Sequence, residues 1–177
     1  FCGRFVQKNE EKCEIIFKFE NVWGANKCFT LLRKAFTIYS DSNAEQLIDF
    51  EKDELQLIIT DSELAKKVHA ALTSYSVSER SCCRRAYLRG AYLCSGSITD
   101  PGKSYHLEIV CRDEETAEYT AKLFNTFDLD VKLVMRGKYH IVYIKDSSKI
   151  VLALNVFEAP VALMEYENAI IIKEMRN

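Results

Sequence analysis

Arg80, Arg84, Arg85 and Arg89 crowd the start of one helix-like run. Guanidinium groups held that closely could grip phosphates through paired hydrogen bonds. A second set of cations, Arg4, Lys18, Lys103, Lys132, Arg136 and Lys138, lies on segments that read as strands and their turns. On an open sheet face such residues would hold a nucleic-acid backbone. The same residues also read as solvated faces paired with nearby acids. The formal net charge of −2, from 24 basic and 26 acidic side chains, gives no overall attraction to a polyanion. Only a local basic stripe would suffice.

Other chemistries find less support. The seven cysteines are irregularly spaced, and the three histidines, His69, His106 and His140, lie far apart. No C-x-x-C pair is present, so zinc ligation lacks its spacing signature and no metal or cofactor is expected. Several cysteines stand among apolar residues and read as free thiols filling a core in a reducing compartment. Cys82-Cys83 reads as a spacer pair. Ser, His and Asp occur without a nucleophile motif such as G-x-S-x-G. Trp23 and the ten phenylalanines read as core and helix-packing residues.

The elements that must position these cations follow from patterning. With 177 residues, 48% hydrophobic and 28% charged, the chain reads as one globular domain or two small ones. No apolar run of about 18 residues or more occurs, so no membrane helix is expected. A weak internal repeat is visible. Cys13–Glu20 and Tyr105–Arg112 are strand-like, and each precedes an amphipathic helix, Val22–Phe36 and Glu114–Phe127. Leu55–Leu72 then parallels Tyr139–Leu154: a strand ends in an Asp-Ser pair, Asp61-Ser62 or Asp146-Ser147, suited to cap the next helix.

Asp100-Pro101-Gly102 predicts one hairpin turn, and Gly137 marks another within Asp130–Lys145. The acidic stretch Ser40–Glu54 holds a marginal strand at Ala44–Phe50, and Ser74–Ser81 reads as a linker. A last helix starts at Pro160, with Ile170–Lys173 open to either helix or strand. The division is therefore 1–76, 77–158 and a C-terminal extension, 159–177.

From Ser81, a helix places Ala86, Gly90 and Cys94 on one face at four-residue spacing. Glycine inside a helix costs about 1 kcal/mol relative to alanine and calls for a closely packed neighbour. Gly96 reads as the left-handed stop. Ala86, Gly90, Cys94 and Gly96 thus predict a helix–helix interface, the partner being a helix expected before Gly3 and cut away in this chain.

The stretch "LRGAYLCSG", Leu88–Gly96, resembles the LAGLIDADG motif of homing endonucleases, with Leu88, Gly90 and Gly96 in register. More specifically, Cys82–Val110 and the closing "EYENAIIIKEMRN" resemble the WhiA family, regulators of sporulation and cell division in Gram-positive bacteria. The likeness is strongest from Cys82 to Asn177.

This resemblance implies an α+β fold of two pseudosymmetric αββαββα LAGLIDADG homing-endonuclease-like repeats, their antiparallel strands forming a saddle over DNA. An active enzyme of this kind carries an acidic residue just before the last glycine of each motif, where divalent metal binds. Cys2 and Ser95 occupy those positions here, and Leu93 stands at the earlier acidic one. Asp100, the nearest carboxylate, has a sufficient role in its turn. The expectation is a domain without catalysis, in a cytoplasmic, nucleoid-associated DNA-binding transcriptional regulator. Its partner would be double-stranded DNA, read mainly by a C-terminal helix-turn-helix domain absent from this chain, with a regulatory protein partner as an addition. The competing readings are an active Mg-dependent homing endonuclease and a pure protein-interaction module.

Overall fold

The computed structural model describes residues 3–7, 13–19, 22–36, 48–51, 56–73 and 77–176. The chain forms two compact units, Cys2–Ser76 and Val77–Asn177.

In the first unit, β1 (Gly3–Gln7) and β2 (Cys13–Lys18) precede helix α1 (Val22–Ala35). Then come β3 (Ile48–Glu51), β4 (Gln56–Ile59) and α2 (Ser62–Thr73). The strands pair antiparallel in the order β1-β2-β4-β3. Strict alternation along β2 turns Cys13, Ile15 and Phe17 inward and Lys18 outward. Ala25 and Leu32 of α1, with Leu64, Ala65 and Val68 of α2, close that core. Trp23 departs from the core reading: it is 83% exposed, because helical periodicity sets it opposite Ala25 and Leu32. The strand expected at Ala44–Phe50 is found at Ile48–Glu51; residues 44–47 lie outside the described residues.

The second unit opens with α3 (Ser81–Ser95), β5 (Gly96–Ile98) and β6 (Leu107–Cys111). It continues with α4 (Glu114–Asn125), β7 (Lys132–Arg136), β8 (Tyr139–Ile144), α5 (Ser147–Val156) and α6 (Pro160–Met175). Its sheet runs β5-β6-β8-β7, again antiparallel. The repeat extends to register. Gly3 faces Phe17 as Gly96 faces Ile109, and Ile15 faces Ile59 as Leu107 faces Ile144.

Both Asp-Ser pairs act as caps. Leu64 N–H donates to Asp61 Oδ1 at 2.7 Å, and Lys149 N–H to Asp146 Oδ1 at 3.0 Å. Asp113 does the same for α4, accepting from Thr116 N–H at 2.8 Å. Leu88, Ile109, Phe124, Leu129 and Ile150, all fully buried, centre the second core.

The open question at Ile170–Lys173 resolves to helix. Ile170 packs on the core, and Lys173 Nζ donates to Pro101 O at 2.9 Å while standing 4.5 Å from the Tyr105 ring centre. Those anchors outweigh the weak strand preference of three consecutive isoleucines.

Two expectations about α3 and the cysteines need correction. Gly96 is extended, with φ −90° and ψ 150°, and not left-handed. It passes directly from the helix into β5, so no reversing turn is needed. Glycine is required there for space: a Cβ would lie 2.3 Å from Tyr92 Cδ2 and 2.6 Å from the Tyr92 carbonyl oxygen. Cys13, Cys28, Cys82, Cys83 and Cys111 are free, but Cys94 is disulfide-bonded. Burial pushes the Cys28 and Cys111 thiols up to about 11, which suits inert core residues.

Candidate nucleic-acid interface

At the tip of α3, Ser95 turns its hydroxyl back to donate to Ala91 O at 3.4 Å. Asp100 accepts from Gly102 N–H at 2.8 Å, and its carbonyl accepts from Lys103 N–H at 2.9 Å, so it is occupied in closing the β5–β6 turn. Among the described residues no three His, Cys, Asp or Glu side chains converge on one point. A hydroxyl spent on its own helix does not fit a hard divalent cation, which favours carboxylate oxygens. Cys2 lies outside the described residues.

The arginine cluster is divided by its environment. Arg85 Nη1 donates to Asn155 O at 3.0 Å, and its guanidinium lies 5.2 Å from the Phe127 ring centre. Arg89 Nη1 donates to Phe157 O at 3.3 Å and pairs with the Glu158 carboxylate. Asn155 O also accepts from Glu158 N–H at 2.9 Å, so the two arginines add side-chain donors to carbonyls at the end of α5. Glu158 itself adopts φ 56°, a left-handed conformation, where the chain reverses into α6. Arg89 holds the Glu158 carboxyl below its ordinary range, first by hydrogen bond and then by charge. Arg84 is half-buried and Arg80 exposed at the helix start. Arg85 and Arg89 therefore brace a helix corner.

The strand cations are arranged differently. Alternation along β6 and β8 sends Leu107, Ile109, Cys111, Val142 and Ile144 into the core. The opposite side carries Glu108 and Val110 from β6 and Tyr139, Ile141 and Tyr143 from β8. On β7, Lys132 pairs with Tyr143, Val134 with Ile141 and Arg136 with Tyr139, so both cations join that side. All of β7 is exposed. Arg136 Nη2 lies 3.5 Å from Glu108 Oε2, and His106 Nε2 lies 2.9 Å from the same oxygen. The His106 ring stacks on Tyr143 at 5.8 Å, and Lys145 Nζ stands 5.4 Å from the centre of that tyrosine. Lys138 Nζ, in the β7–β8 turn, lies 5.3 Å from the Tyr139 ring centre.

Lys132, Arg136, Lys138 and Lys145 thus border an aromatic-lined sheet face. Lys103 is exposed in the β5–β6 turn. Lys18 ends β2 in the first unit's sheet, on the outward side with Ile16, and Arg4 takes the strand position opposite Ile16. Lys145, Tyr139, Tyr143 and the His106–Glu108 pair were missed among the expected site residues. Their signal is present in sequence, since 139, 141, 143 and 145 share one side of a strand.

On the predicted interface face of α3, Ala86 and Gly90 are exposed and Cys94 half-buried. Among the described residues, and apart from the backbone of α3 itself, no heavy atom comes within 4 Å of a Cβ placed on Gly90. A cavity of about 540 Å³ opens beside the C-terminal half of α3, walled by Tyr92, Phe157, Ala162 and Tyr166. The Tyr166 hydroxyl is buried without a hydrogen-bond partner among the described residues, and burial pushes it up to about 12.

Residues 84–176 match the family model of the WhiA LAGLIDADG-like domain. A probable cell division protein WhiA of Lachnoclostridium phytofermentans is 39% identical over 195 residues, covering 99% of this chain and 61% of that protein. The corresponding protein of Clostridium perfringens is 35% identical, over 93% of this chain and 58% of its own length. The chain therefore spans about six-tenths of the length of these curated relatives. Among solved structures, full-length DUF199/WhiA from Thermatoga maritima superposes with a TM-score of 0.73 at 21% identity, over 96% of this chain and 56% of that one. I-DmoI, solved in complex with DNA and Mn, gives a TM-score of 0.64 at 11% identity, over 89% of each chain. At such identities the structural likeness establishes the LAGLIDADG fold alone.

Proposed function

This chain belongs to the WhiA LAGLIDADG-like family, and we propose that it is a non-cleaving, DNA-facing domain of a bacterial regulator of cell division and sporulation. The observation that carries the proposal is the second unit's sheet face. It keeps cations and aromatic rings on one side, where a saddle would meet a duplex, while the helix tip has a hydroxyl in place of a carboxylate. Lys132, Arg136, Lys138 and Lys145 would hold phosphates, and Tyr139 and Tyr143 would pack against sugars. Contacts of this kind position a protein on DNA without reading bases. Sequence reading would fall to the helix-turn-helix part that the family resemblance implies, in a cytoplasmic protein associated with the nucleoid. Among the described residues no helix is long and apolar enough to cross a membrane.

A labelled duplex titrated across a salt series tests the reading. Four phosphate contacts give a slope of log affinity against log salt of about −3.6, and Lys132→Glu with Arg136→Glu should reduce it by about 2. An unchanged slope would remove this face from the interface. Supercoiled plasmid incubated with Mg²⁺ or Mn²⁺ should stay intact. Cutting that a chelator abolishes would instead favour the homing-endonuclease reading.

A further inference from the structure

Helix α6 has two apolar faces, and the fold uses one. Tyr166 is buried, with Leu163 and Ile170 packed on the core beside it. On the opposite side Val161, Met164, Asn168, Ile171 and Met175 recur at alternating spacings of three and four residues. That is a continuous a/d heptad seam about 21 Å long on a helix of 16 residues. Its apolar members, with Ile172 beside them, are 49% to 81% exposed. A surface helix ordinarily shows one apolar stripe, so a second one in water needs a purpose.

We propose that this seam docks one amphipathic helix of a protein partner, with heptad-spaced apolar residues flanked by lysine or arginine. The flanks supply the chemistry. With Val161 at a and Met164 at d, the e and g positions are Glu165, Glu167, Ile172 and Glu174, so every charged flank is acidic. Arg176 lies outside those positions. A second copy in antiparallel alignment would set Glu167 against Glu174, with no base on either flank to answer them. An anionic membrane would be repelled for the same reason. A basic helix meets complementary charge on both sides. Asn168, in the middle of the seam at an a position, favours a two-stranded pairing with a polar residue opposite.

The probe is a fluorescein-labelled synthetic peptide of three heptads, with isoleucine at a, leucine at d, one central asparagine at a, and lysine at e and g. Its twin carries glutamate at e and g. Anisotropy titration with the whole chain should show micromolar binding of the lysine peptide and about tenfold weaker binding of the twin. Ile171→Glu, and separately Met164→Glu, should each weaken the lysine peptide by about tenfold or more at an unchanged melting temperature, because both sites are exposed. The proposal fails if neither peptide binds, if both bind alike, or if both variants keep parental affinity. It also fails if the chain self-associates in sedimentation and Ile171→Glu abolishes that association, for then the occupant is a second copy.

Discussion

Gly90 and Gly96 lie in and just beyond the same helix, and alanine at the two positions should act with opposite sign. At Gly96 the new Cβ would stand 2.3 Å from Tyr92 Cδ2, 2.6 Å from Tyr92 O and 2.8 Å from Tyr92 Cα. Two of those atoms are backbone in the last turn of α3 and cannot swing aside. Moving the ring instead breaks its stack on Phe157, at 4.8 Å, and Phe157 meets the fully buried Phe124 edge-on. The cost should reach the upper end of overpacking, about 3 kcal/mol. At Gly90 no atom of the described residues outside the backbone of α3 lies within 4 Å, so alanine should stabilise by about 1 kcal/mol through helix propensity and a less flexible unfolded chain. The two variants then differ by about 4 kcal/mol, which at roughly 2 to 8 °C per kcal/mol separates their melting temperatures by at least about 8 °C. Circular dichroism melts of both proteins and the parent measure this. A Gly96→Ala protein that melts with the parent would refute the steric argument. A Gly90→Ala protein that melts lower would mean that a closely packed helix covers that face.

Further outcomes follow from the caps, the helix corner and the thiols. Asp113→Ala should cost about 1 kcal/mol, because Thr116 N–H loses its acceptor; chemical denaturation reads this directly. The Glu158 carboxyl is depressed in the folded state. Its contribution is therefore present above the ordinary carboxylate range and lost as pH falls through the folded value, and Arg89→Ala should flatten that acid limb of a stability–pH curve. Native protein at pH 8 should react with a thiol reagent at exposed Cys82, whereas Cys28 and Cys111, pushed up to about 11 by burial, should react only on unfolding. Mass spectrometry of the labelled peptides separates them.

Much of the architecture was legible because local chemistry and tertiary role agree. The Asp-Ser pairs at 61–62 and 146–147 cap helices, Asp100-Pro101-Gly102 turns a hairpin, and alternation in Cys13–Lys18 and Leu107–Cys111 marks one buried face. Where the sequence was less legible, either the deciding partner lies far along the chain or local geometry overrides residue type. Arg85 and Arg89 read as part of a basic patch, and their contacts to the carbonyls of Asn155 and Phe157, some seventy residues on, left no mark in the sequence. Gly96 suggested a left-handed stop, while its real constraint is the position of Tyr92. Ile170–Lys173 stayed ambiguous until Pro101 supplied an anchor for Lys173. Trp23 invited a core assignment on residue type alone, and helix phase placed it in water.

β7 is the outer strand of its sheet and is exposed along its whole length, with Leu133, Val134 and Met135 open to solvent. Such a strand can recruit a neighbour's backbone and seed aggregates, a hazard that charge at its ends suppresses. Lys132 and Arg136 bracket those three apolar residues, so they act as solubility guards whatever they bind. Trimming both to alanine would remove the guard together with any grip on phosphate, and precipitation would mimic a loss of affinity. Charge reversal keeps the edge repellent, which is why glutamate is the informative replacement there.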